Sequence, residues 1–148
     1  MIDLNKHWDK RGLMTEQKYI ALIDCDSFFV SCERKLNPRL NGKPVCVVSG
    51  DRGCVIARSI EAKSMGIPMG QPLFMAKKEF PKAIYINANH YNYAEISNQV
   101  MSVLKEFSPC VEIYSIDEAF VDLTGLSKLY RKNYYDLAKS IRDLIAQR

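Results

Sequence analysis

Cysteines at zinc spacing are missing from this chain, although it holds five of them: Cys25, Cys32, Cys46, Cys54 and Cys110. No two form a C-x-x-C pair and no histidine lies near them at ligand spacing, which excludes a structural zinc site. Apolar runs long enough to span a bilayer are missing as well, and so is a secretory signal. An odd, scattered set of thiols with no such signal implies a reduced, cytoplasmic protein. There is no internal repeat and no low-complexity segment. Charge of one sign is not in large excess either. The net charge of +4 permits a nucleic-acid partner without demanding one. What is present is a hydrophobic content of 47% in 148 residues. That is enough for a normal core, excludes global disorder, and suits one compact domain or one and a half small ones.

The first 18 residues are polar and charged (Asp3, Lys6, His7, Asp9, Lys10, Arg11) and are expected to form a flexible leader outside the core. Tyr19–Asp24 is a short apolar run ending in an acid, the pattern of a buried strand. Asp26 or Ser27 can cap a helix over Phe28–Leu36, which Pro38 and Gly42 end. Val45–Val48 and Cys54–Ala57 read as strands joined by the turn Gly50-Asp51-Arg52-Gly53. Short helices are expected over Ser59–Met65 and Leu73–Phe80, and a strand over Ala83–Ile86. From His90 to Phe107 the spacing of Ile96, Val100, Val103, Leu104 and Phe107 predicts a long amphipathic helix. Val111–Ile116 and Ala119–Leu123 alternate around Asp117-Glu118, which predicts two strands meeting at a tight hairpin. Ser127–Ala146 has the period of a single helix. With the region after Phe28 set aside as an insertion, the order is that of a ferredoxin-like βαββαβ sheet without its last strand. The fold class expected is therefore α+β, an incomplete ferredoxin-like layer with a small inserted α/β subdomain, and the chain is expected to be truncated.

Asp24 ends the first strand, while Asp117 and Glu118 sit at the central hairpin. A charge next to a buried strand needs a partner, and a divalent cation can supply one. By spacing alone the plainer readings stay open: an Asp-Glu pair in a turn is commonly a solvated tip, and Asp24-Cys25-Asp26 could serve as a helix cap.

Read as strings, these residues say more. Asp24-Cys25-Asp26-Ser27-Phe28-Phe29 resembles the D-x-D-x-F-F/Y segment of Y-family (translesion) DNA polymerases. Ser115-Ile116-Asp117-Glu118-Ala119-Phe120 resembles that family's S-I-D-E-A-F/Y motif, which is highly specific. Asn41-Gly42-Lys43-Pro44-Val45 is similar to its G-K-P-V strand entry, and Glu61-Ala62-Lys63 followed by Gly66 to its E-A-R/K-x-x-G segment. The likeness runs in order from about Tyr19 to Gly125. Cys54–Arg58 and Val111–Tyr114 point to the UmuC-type branch, associated with SOS mutagenesis.

The resemblance implies a two-metal nucleotidyl transferase that adds a dNMP to a primer 3′-hydroxyl in error-prone lesion bypass. Asp24 and Asp117 would bridge two Mg²⁺ ions, with Mn²⁺ able to substitute, and Glu118 would bind the ion that activates the primer. The backbone carbonyl of Cys25 would complete the nucleotide-side ion. Phe29 would be the steric gate against a ribose 2′-hydroxyl, with Phe28 a core aromatic. Lys63 matches the position that contacts the incoming triphosphate. Ile60 stands where many members have Tyr, which leaves Arg58 or Ser59 as substitutes for one phosphate contact. Tyr91 and Tyr93, at the start of the long helix, read as packing or capping aromatics. The implied division is a leader at 1–18, a palm at 19–27 and 88–148, and fingers at 28–87. Implied partners are primer-template DNA, a dNTP, and a sliding clamp reached through a C-terminal region beyond this chain, with no membrane. A fragment of this extent is expected to be nearly inactive alone. Two rival readings remain: a nucleotide cyclase-like palm acting on free triphosphates, and a non-catalytic ferredoxin-like module binding RNA or protein.

Overall fold

The structure is a computed structural model that describes residues 6–8 and 14–147, with side chains from residue 17 onward. The chain divides into two compact units. One is formed by the chain up to Asp24 together with Asn98 onward, and the other is Cys25–Ser97.

In the first unit, β1 (Lys6–Trp8) and β2 (Met14–Glu16) pair antiparallel within the stretch expected to be a leader. The main sheet contains β3 (Ile20–Asp24), β7 (Val111–Ile113) and β8 (Glu118–Asp122) in the order β3-β8-β7, all antiparallel. This is the neighbour order that the first, third and second strands of a ferredoxin-like sheet take. The period-two alternation explains its faces. Ala119 and Val121 of β8 are buried in a core that includes Met101, Leu104, Leu137 and Ile141, and the partly buried Ala21 and Ile23 of β3 pack against it. Residues of the opposite register, Ile20, Leu22 and Asp24, are exposed.

The helix expected over Ser127–Ala146 is in fact two, α5 (Leu126–Tyr130) and α6 (Tyr134–Gln147). Arg131 adopts the left-handed conformation (φ 52°) and ends α5. The Asn133 side chain then accepts from the Asp136 backbone N–H at 2.8 Å and starts a new helix. Leu137 and Ile141 of α6 supply its buried face.

The second unit is built on α1 (Phe28–Leu36) and a sheet ordered β5-β4-β6, with β4 at Val45–Val48, β5 at Val55–Arg58 and β6 at Ile84–Asn87. β4 is antiparallel to β5 and parallel to β6. All four of its residues are buried, which is why it reads as a continuous apolar run. Cys46 and Val48 pack with Ala62 of α2 (Ile60–Ser64) and with Leu73 and Ala76 of α3 (Leu73–Glu79). Ser59 ties this unit together. Its hydroxyl accepts from the Ala62 N–H as a helix cap and from the Val45 N–H, and donates to the Lys43 carbonyl. The helix α4 (His90–Phe107) has the bounds its periodicity predicts. No helix among the described residues is long and apolar enough to cross a membrane.

Candidate active site

The three acids singled out in the sequence all belong to the first unit and lie at one end of its sheet. Asp24 and Glu118 are direct cross-strand partners in the β3-β8 register. Residues so paired project from the same face with Cβ atoms roughly 4.5–5.5 Å apart, and Asp117 directly precedes Glu118. The expected tight turn at Asp117-Glu118 is displaced. Glu118 is the first residue of β8, and the loop preceding it closes when the Tyr114 and Ser115 N–H groups both donate to the Glu118 carbonyl, at 3.0 and 3.1 Å. Those two bonds fix the Glu118 backbone, so the acid sits in the ladder instead of at a free tip.

Ser115, to which the sequence reading gave no role, holds the acids together. Its Oγ lies 2.7 Å from Asp117 Oδ1 and 3.0 Å from Glu118 Oε2, so its single proton is given to one carboxylate or shared between the two. Its signal was present, as the first residue of the S-I-D-E string. The ion pairs among the described residues are Arg34–Glu61 and Arg142–Asp143, so none of the three acids is neutralised by a basic side chain there. Nor does any group of three or more His, Cys, Asp or Glu side chains among the described residues already enclose a metal position. The site is a concentration of hard, negative oxygens at a strand end. That set fits a cation such as Mg²⁺, which takes one or two carboxylates and completes its shell with water and phosphate oxygens.

The remaining residues of interest belong to the second unit. Ser27 is the N-cap of α1 in a left-handed conformation (φ 48°), and its hydroxyl accepts from Lys63 Nζ at 3.1 Å. Asp26 does not cap the helix as expected; its backbone carbonyl instead accepts from Ser31 Oγ. Phe28 is buried, and Phe29 is half-buried with its ring stacked on Tyr93. Arg58 donates through Nη1 to the Ile67 carbonyl at 2.5 Å. Glu61 is held below the usual carboxylate range by its backbone N–H and then by Arg34, 2.7 Å away. Tyr91 is exposed and packs little, unlike Tyr93. All five cysteines are free thiols. Burial pushes Cys32 and Cys46 up to about 12 and about 11, which keeps them protonated and inert.

With this geometry established, comparison with known proteins is decisive. The model of the impB/mucB/samB family matches residues 23–148. This chain belongs to that family. Membership agrees with the Y-family resemblance of the two acidic strings. The protein UmuC of Salmonella typhimurium is 45% identical over 130 residues, 86% of this chain and 30% of that protein. A DNA polymerase IV of Saccharolobus solfataricus is 37% identical over 134 residues, 87% of this chain and 38% of that protein. A solved structure described as an insertion ternary complex of Dbh DNA polymerase superposes with a TM-score of 0.75 at 31% identity, covering 87% of this chain and 39% of that one. The chain thus spans about a third of the length of the family members it matches.

Proposed function

We propose that this chain is the palm and fingers portion of an error-prone DNA-directed DNA polymerase that bypasses lesions. The reaction would be attack of a primer 3′-oxygen on the α-phosphate of a dNTP, with pyrophosphate leaving. The observation that carries the reading is the pairing of Asp24 with Glu118 across β3 and β8, with Asp117 beside them and Ser115 bridging the last two. Relatives named as polymerases support it.

In this reading Asp24, Asp117, Glu118 and the Cys25 backbone carbonyl would hold two Mg²⁺ ions. When bound, such ions would supply electrostatic stabilisation of the attacking and leaving oxygens of an in-line displacement. The chain's own residues do the remaining work. The acids orient through the strand register, which requires no rearrangement of the sheet. Ser115 donates to carboxylate oxygens and so limits their rotation. Lys63 supplies a mobile point charge for the triphosphate, and Arg58, already engaged with the Ile67 carbonyl, offers its remaining donors. Phe29 stacks under the sugar and excludes a 2′-hydroxyl by steric overlap, worth roughly 1–3 kcal/mol. The fingers correspond to 28–87 and the palm to 19–27 and 88–148. Primer-template DNA, a dNTP and a sliding clamp are the partners of the longer protein, acting in the cytoplasm.

The test is primer extension by a polymerase of family length bearing this segment, on undamaged and abasic templates, beside Asp117→Ala/Glu118→Ala. Mg²⁺-dependent incorporation that disappears in the double variant is the expected result. A folded wild type that incorporates nothing would overturn the reading in favour of a binding module.

A further inference from the structure

Phe29 does not stand alone in its unit. Its ring is stacked on Tyr93, with centroids 4.6 Å apart and planes inclined by 19°. The His90 ring meets it edge-on at 5.8 Å and 86°. Tyr93 is 0% exposed and donates its hydroxyl to Glu33 Oε1 at 2.6 Å, the length of a strong charge-assisted bond. Burial, followed by the Glu33 carboxylate, pushes the Tyr93 phenol up, so it remains a donor. Glu33 lies four residues after Phe29 on α1, on the same helical face one turn further on. The contacts therefore close a loop: the Phe29 ring, its backing ring Tyr93, the Glu33 carboxylate, and back along α1 to Phe29.

We propose that Tyr93 and Glu33 are positioning residues that fix how far the Phe29 ring projects, and thereby set how strictly a ribonucleotide is excluded. This rests on the reading of Phe29 as the gate. The physical argument concerns tolerance. Rejecting a sugar for one extra oxygen requires a ring whose position varies by well under the size of that atom. A side chain with an unfilled space beneath it can change rotamer or sink. Tyr93 fills the space beneath one face of the Phe29 ring. A buried hydroxyl is costly without a partner, so the bond to Glu33 holds the Tyr93 ring in one orientation. Because the partner is on the gate's own helix, movement of Tyr93 and movement of α1 are coupled.

The experiment measures the ratio of dNTP to rNTP incorporation efficiency in a polymerase of family length carrying this segment. Wild type is compared with Phe29→Ala, Tyr93→Leu, Tyr93→Phe and Glu33→Gln. Tyr93→Leu should lower the ratio by roughly tenfold. Tyr93→Phe and Glu33→Gln, which keep the ring but remove or weaken its tether, should each lower it by about threefold. Phe29→Ala should lower it most. On the 148-residue chain, proton spectra should show the Phe29 ring resonances shifted by stacking in wild type and Tyr93→Phe, and losing that shift in Tyr93→Leu. A relaxed ratio in Phe29→Ala with wild-type ratios in the other three would overturn this inference alone. An unchanged ratio in Phe29→Ala would overturn the gate reading and this inference together. If Tyr93→Leu does not fold, unchanged ratios in both Tyr93→Phe and Glu33→Gln overturn the proposal.

Discussion

The two units place their functional groups by different means. In the first, the acids are set by backbone pairing: Asp24 faces Glu118 because the β3-β8 ladder puts it there, and one serine hydroxyl bridges Glu118 to Asp117. In the second, placement depends on side chains packed and hydrogen-bonded in depth: a wholly buried strand, a serine with three backbone partners, and an aromatic ring tethered beneath another. Under the proposed function the contrast suits two tasks. Charges that collect cations need a rigid frame and open access to solvent. A surface that judges the shape of a sugar needs a position held by close packing.

The comparison can be broken most directly at the acids. Replacing Asp117 and Glu118 by alanine should reduce incorporation by at least a thousandfold while leaving the thermal midpoint unchanged or slightly raised, since like charges are removed from a half-buried strand end. A large loss of stability in a melting experiment would show that the acids also hold the fold. Next in size is the core: Leu137→Ala, at a fully buried position of α6, should cost about 2–5 kcal/mol in urea unfolding. Ser59→Ala should cost about 1–3 kcal/mol by the same measurement, because it removes a cap and leaves the buried Val45 N–H without its acceptor. Ser115→Ala sharpens the contrast within the first unit. It should raise the Mg²⁺ concentration for half-maximal activity about tenfold with little change in melting.

The smallest effect is electrostatic. Glu61 is held below the ordinary carboxylate range in the folded chain by its backbone N–H and by Arg34. A depressed carboxyl stabilises the fold above its unfolded value, and that contribution is lost as pH falls through the folded value. Unfolding followed between neutral pH and pH 3 should therefore fall less steeply for Glu61→Gln than for wild type. Equal slopes would show that the pair contributes nothing measurable.

Much of this was legible in the sequence, for physical reasons that differ by element. The bounds of α1, β4 and α4 follow from periodicity and from the breakers beside them. The break between α5 and α6 was not read. Arg131 in a left-handed conformation has no marker of the kind glycine gives, although Asn133 three residues before Asp136 was a capping signal in plain view. The acids were found through their strings, but the pairing of Asp24 with Glu118 was not, because alternation gives a strand's face and not its partner. The environment of Phe29 was hidden for a similar reason. Tyr93 and Glu33 are 60 positions apart, and no local pattern announces that they meet.

The direct opposition of Asp24 and Glu118 also constrains how genes of this kind can change length. Substitutions along β3 and β8 alter one side chain at a time. An in-frame insertion or deletion of a single codon between Ile20 and Asp24, or between Glu118 and Asp122, shifts the alternation by one residue and exchanges the buried set for the exposed one. Such a change would turn the acids towards the hydrophobic layer and bring apolar residues to the strand end. Length variation in this lineage should therefore accumulate in the connections, while these two strands keep a constant number of residues.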